Sequence, residues 1–133
     1  MLEEKTTSQI IKAFYKVYNT LGYGFLERVY ERALYFELSE SGFHVVCQKP
    51  IKVFYNEKEV GKYFADIVVD GKVILEIKAA DAISKAHEIQ IVNYLKATKI
   101  EVGLILNFGP TPVFQRKVFS NDPKPMIEAL FDS

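Results

Sequence analysis

Apolar residues recur at Ile10, Ile11, Phe14, Val17, Tyr18 and Leu21. That is the three-and-four spacing of a helix that buries one face. Thr6 and Gln9 stand three apart just ahead of the run, at capping-box spacing, which predicts a helix starting there. Gly22 and Gly24 interrupt the pattern. A second helix is predicted over residues 26–41, with Val29, Tyr30, Ala33, Leu34, Phe36 and Leu38 in it and Gly42 as its stop. From His44 the period changes. Residues 45–49 and 51–55 read as extended segments, broken or bulged at Pro50. A turn at residues 56–58, a strand over 60–69, a hairpin turn at Asp70-Gly71 and a partner strand over 72–79 follow.

Ser84 is the predicted N-cap of a helix reaching about Thr98 and carrying Ala86, Ile89, Val92 and Leu95. Residues 102–106 form a continuous apolar run, as expected of a central strand covered on both faces. Asn107-Phe108-Gly109-Pro110 ends it, and residues 114–119 are predicted as a last strand. A break at residues 122–125 precedes a short helix predicted from Met126. The order is two helices, three or four strands, one helix, then one or two strands. It predicts an α/β or α+β fold, a single sheet flanked by helices, in one domain over residues 1–133.

Composition narrows the class. The chain has 133 residues, 49% of them hydrophobic, with 7 Gly and 5 Pro, which excludes disordered and collagen-like sequences. Its single cysteine, Cys47, excludes a disulfide framework and a Cys-rich zinc site, and reads as a small buried hydrophobe. No apolar run approaches the roughly 18 residues of a membrane span. The polar start, residues 1–5, predicts no signal peptide, so a cytoplasmic location is expected by elimination. The 17 basic and 17 acidic residues balance. Phosphate must then be met by a local basic patch or by a bound metal.

The chemistry-bearing stretch is residues 65–78. Glu76 and Lys78 lie two apart in an otherwise apolar strand, so they point to one face. Asp66 lies on the preceding strand. A strict two-residue Asp70-Gly71 turn would pair Asp66 with Leu75 and put the carboxylates on opposite faces. A three-residue connection, a type I turn closed by a bulge with Gly71 left-handed, would set Glu76 diagonal to Asp66 on the same face. Two carboxylates beside a lysine suit a hard divalent cation such as Mg²⁺. They equally suit a salt-bridged Asp–Lys–Glu set with no ligand, and spacing alone leaves both readings open.

Asp66 followed across a hairpin by Glu76-Ile77-Lys78 resembles the PD-(D/E)xK nuclease signature, with Ala65 where the name has proline. Gly24-Phe25-Leu26-Glu27-Arg28-Val29-Tyr30 is similar to the motif that names the GxxExxY protein family, a branch of that superfamily. Gln90-Ile91-Val92-Asn93-Tyr94 resembles the Q-x-x-x-Y motif of RecB-like exonuclease domains. The resemblance covers residues 10–109. It implies a restriction-endonuclease-like core, a mixed sheet with helices on its faces, and a Mg²⁺- or Mn²⁺-dependent phosphodiesterase acting on DNA. It carries over Asp66 and Glu76 as metal ligands, Glu27 as an additional carboxylate and Lys78 as the catalytic lysine. Gln90 would lie near Lys78, the attacking water or the DNA backbone.

Without the resemblance, Glu27 reads as an acidic first-turn residue that favours the helix dipole, and Tyr30 as a packed ring with a polar tip. Gln90 and Tyr94 share a helix face. His87 is a candidate general acid or base, or a boundary residue. A nuclease-fold binding or oligomerisation module without turnover is the alternative function. A homodimer would let so small a core engage both strands of a substrate, and the sequence leaves that open.

Overall fold

The computed structural model describes residues 2–124. Helices α1 (Glu4–Leu21) and α2 (Glu27–Glu40) lead into β1 (Val45–Tyr55), β2 (Lys58–Val69) and β3 (Val73–Lys78). Helix α3 (Lys85–Lys96), β4 (Val102–Phe108) and β5 (Pro112–Val118) complete the order. The strands form one sheet in the order β1-β2-β3-β4-β5. All neighbours are antiparallel except β3 and β4, which run parallel and are joined through α3. This is the predicted single mixed sheet flanked by helices. The helix expected from Met126 lies outside the described residues.

Hydrophobic alternation places a core on each face. Ile10, Phe14, Tyr30, Leu34 and Leu38 of α1 and α2 pack on Ile67, Leu75, Ile77, Leu104 and Phe108. Ile91 and Leu95 of α3 pack on Val68, Ile74 and Ile105. Strand β4 is buried along its whole length because it feeds both clusters, which is why it reads as an unbroken apolar run.

Two local expectations are corrected. Helix α1 starts before Thr6: the Thr7 N–H already donates to the Glu3 carbonyl at 2.9 Å, and no side chain caps the end. With the backbone ladder running from there, the Gln9 N–H that a Thr6 cap would serve lies inside the helix and already has a backbone acceptor. Pro50 does not break β1, which is one strand paired to β2 on both sides of it. β1 is an edge strand of the sheet, where proline is tolerated.

The loop after β3 is clamped. Asn107, fully buried in β4 and paired with Lys78, accepts from the Ala80 N–H at 2.9 Å and donates to the Ala80 carbonyl at 3.0 Å. A Cβ on Gly109 would lie 2.2 Å from the same carbonyl oxygen, so only glycine fits there. Asn107→Ala leaves the N–H and carbonyl of the half-buried Ala80 without their partner. It should lower stability by about 3 kcal/mol, seen as a lower urea midpoint at unchanged slope.

Candidate active site

Strands β2 and β3 pair only from Ile67↔Leu75 to Val69↔Val73. Asp70 and Gly71 between them both have positive φ (52° and 64°). Gly71 is left-handed as expected, but Asp70 is too, so the turn is of the primed kind rather than type I. Because Val69 pairs with Val73, the register matches the three-residue connection. Continued one step, it sets Asp66 directly opposite Glu76, not diagonal to it.

At that step the ladder stops and the carboxylates replace it. The Asp66 N–H donates to Glu76 Oε2 at 2.9 Å, and the Ile77 N–H donates to Asp66 Oδ2 at 2.8 Å. Each acid satisfies the backbone of the other's strand. Ala65 packs in the α3-side core and Ile67 in the α1/α2-side core. Strict alternation therefore fails at Asp66, and β2 rolls there as it leaves β3.

Burial makes the pair costly. Glu76 is 3% exposed, and its carboxyl is pushed up to about 8, first by desolvation and then by the Asp66 charge. The Asp66 N–H and the Lys78 charge act against that rise without cancelling it. The Asp66 charge also raises Glu31 on α2, Cys47 on β1 and Tyr94 on α3, in each case behind burial as a cause; Tyr94 reaches about 12. Groups from four elements thus sense one concentration of negative charge.

The lysine is held from the other side. Lys78 Nζ donates to Gln90 Oε1 at 3.2 Å, and Gln90 Nε2 donates to the Tyr94 hydroxyl at 3.2 Å. Lys78, Gln90 and Tyr94 form a chain from β3 to one face of α3. His87 is occupied differently: its N–H donates to Ser84 Oγ at 3.2 Å, and its Nδ1 accepts from the Ser84 N–H at 3.1 Å. It closes a capping box on α3, and burial, then Lys78, lower its pKa.

The motif residues of α2 separate. Tyr30 is buried, stacks on Phe108 at 4.4 Å, donates to the Gly22 carbonyl at 2.6 Å and accepts from the Phe25 N–H at 3.1 Å. It packs with a polar tip and folds the turn before α2. Glu27 begins α2 and is exposed, and its side chain makes no hydrogen bond among the described residues; its charge reaches Glu31 and His87. Glu31, one turn further on, stands nearer the pair and accepts from Gln48 Nε2 at 3.1 Å. The same amide lies 3.4 Å from Asp66 Oδ1. Neither Glu31 nor Gln48 is distinguished in the sequence.

Among the described residues no three His, Cys, Asp or Glu side chains converge as a metal cage. Mg²⁺ often takes only one or two protein carboxylates and leaves its remaining positions to water and substrate. Asp66 and Glu76 supply only oxygen donors, and the crowding that raises the proton affinity of Glu76 is what a cation would relieve, so they fit that demand.

A family model described as PD-(D/E)XK nuclease superfamily matches residues 4–118. A solved structure, that of SSO0001, superposes with a TM-score of 0.53 at 16% identity, over 79% of this chain and 55% of that one. The likeness shows a shared fold, and the chain spans little more than half of that protein. No curated protein matches the chain. No helix among the described residues is long and apolar enough to cross a membrane. The chain belongs to the PD-(D/E)XK nuclease superfamily.

Proposed function

We propose that this protein is a Mg²⁺- or Mn²⁺-dependent nuclease that hydrolyses DNA phosphodiester bonds, of the GxxExxY branch on the strength of Gly24, Glu27 and Tyr30. The observation that carries the reading is the facing Asp66–Glu76 pair beside Lys78; burial and the Asp66 charge push the Glu76 carboxyl up to about 8, a cost that a bound cation would relieve. A divalent ion there would be held by Asp66 and Glu76, and would polarise the phosphate and acidify the attacking water. Glu27 shares a helix face with Glu31 and would be the additional carboxylate for that ion.

The chain's own groups supply the rest. Lys78 presents an ammonium beside the carboxylates, where it orients the water and offsets charge on the phosphorane-like transition state. Gln90 fixes that ammonium through its Oε1, and Tyr94 fixes Gln90. Asp66 and Glu76 hold the two strands at their point of divergence, so the ligands are positioned by the sheet rather than by a loop.

In a test with purified protein, single- and double-stranded DNA should be cut with millimolar Mg²⁺ or Mn²⁺ and not with EDTA. Either ion should raise the melting temperature at pH 8. At a hundred times its Kd the ion stabilises by about 2.7 kcal/mol. A shift without cleavage would assign the chain to the alternative, a nuclease-fold binding module. Neither a shift nor cleavage would overturn the metal site. Light scattering on the same sample reads the homodimer.

A further inference from the structure

We propose that the β1–β2 hairpin is a binding arm for single-stranded DNA that feeds the Asp66–Glu76 site, an inference that rests on the nuclease reading above. The β1–β2 ladder runs from Val45↔Val69 to Tyr55↔Lys58, whereas β2 leaves β3 after Ile67. Most of the hairpin therefore extends past the edge of β3 with no strand partner beyond itself. Ile51 and Ala65 are buried in the core beneath α3. By strand alternation, their neighbours Pro50, Lys52, Lys62 and Phe64 present the opposite face, and all four are exposed.

That face has the two components of single-strand recognition, an aromatic platform and cations along the backbone track. Phe64 is 47% exposed, and Lys62 Nζ lies over its ring, 5.5 Å from the centre, so a base that stacks on the ring displaces the ammonium toward the strand's phosphates. Lys52 and Lys62 face each other directly across the ladder. Like charges so placed are destabilising in the free protein. Lys52 pairs with Glu59 at 3.7 Å, both half-exposed, and so exposed a pair relieves little of it. A polyanion on this face relieves the repulsion.

The charge is local to the arm. Lys49, Lys52, Lys58 and Lys62 outnumber Glu57 and Glu59 there, in a chain whose net charge is zero. Phe64 and Lys62 lie two and four residues along β2 from Asp66, about 7 and 13 Å at strand rise. That is within reach of the first few nucleotides of a strand whose phosphate is at the site. A duplex hides its base faces inside the stack, so only an unpaired strand can use Phe64.

The test is fluorescence anisotropy in EDTA with a labelled 20-mer oligo(dT) and a 20-base-pair duplex, so binding is read without cleavage. The single strand should bind more tightly than the duplex. Phe64→Ala should weaken the single strand about tenfold. The double variant Lys52→Gln/Lys62→Gln should reduce the slope of log affinity against log salt by about 1.4. All these positions are exposed, and unchanged circular dichroism confirms folding. Equal binding by the variants and the parent, or a duplex bound as tightly as the single strand, would overturn the arm. So would a Phe64→Ala change in oligomeric state with oligonucleotide binding intact. Loss of metal-dependent cleavage while the oligo(dT) results hold would instead count against the nuclease reading alone.

Discussion

Replacing Glu76 by glutamine should make the metal-free protein more stable at pH 8, by an amount on the order of 3 kcal/mol. The folded carboxyl is raised from 4.5 to about 8. Between those values the folded state keeps a proton that the unfolded chain has released. Stability therefore falls as pH rises through that window and levels off above it. Glutamine is neutral throughout, and its amide oxygen can accept the Asp66 N–H that Glu76 Oε2 accepts now. Urea unfolding in EDTA at pH 5 and pH 8 reads the effect. The parent should lose stability between the two, and Glu76→Gln should lose much less. Glu31 is raised as well, chiefly by burial and by Asp66, so a smaller slope of the same sign should remain. A parent protein with no loss between pH 5 and pH 8, or a variant less stable than the parent at pH 8, would contradict the buried, crowded carboxylate. With Mn²⁺ present the order should invert, because the ion stabilises the parent and finds one ligand missing in the variant.

The paired acids were legible because ionisable residues are conspicuous in strands as apolar as residues 67–77. Which face they shared was not, since one residue of register moves every side chain to the other side of the sheet. The Val69↔Val73 pairing decided it, and the exact opposition of Asp66 and Glu76 needed coordinates. Glu31 was hidden for a different reason. It sits among Glu27, Arg28, Arg32 and Glu40 on the outer side of a helix rich in charge, and only packing reveals which carboxylate turns toward β2. Gln48 owes its position to a positive φ of 53° on an edge strand, a kink that a β-forming sequence does not announce. Asn107 did carry a signal, a carboxamide directly after an apolar run, and it proved to be the clamp on Ala80.

Lys78→Ala and Asp66→Ala should both abolish cleavage, by at least about a hundredfold, but should differ in what they leave behind. Removing the Lys78 ammonium takes away charge stabilisation and water orientation at the reacting phosphate while both carboxylates stay in place. The metal-induced rise in melting temperature should survive, and the Michaelis constant should change less than the turnover number. Removing Asp66 takes away a ligand and strips the Ile77 N–H of its 2.8 Å acceptor, so the metal-induced shift should vanish with the activity. Asp66→Asn restores an acceptor without the charge. It should recover fold stability but neither metal response nor cleavage, which separates the structural role of the side chain from its electrostatic one. Gln90→Ala frees Lys78 without removing it, so its rate should fall between parent and Lys78→Ala, with the metal response intact. Cleavage that persists in both Lys78→Ala and Asp66→Ala would mean that the reaction belongs to another site or another protein.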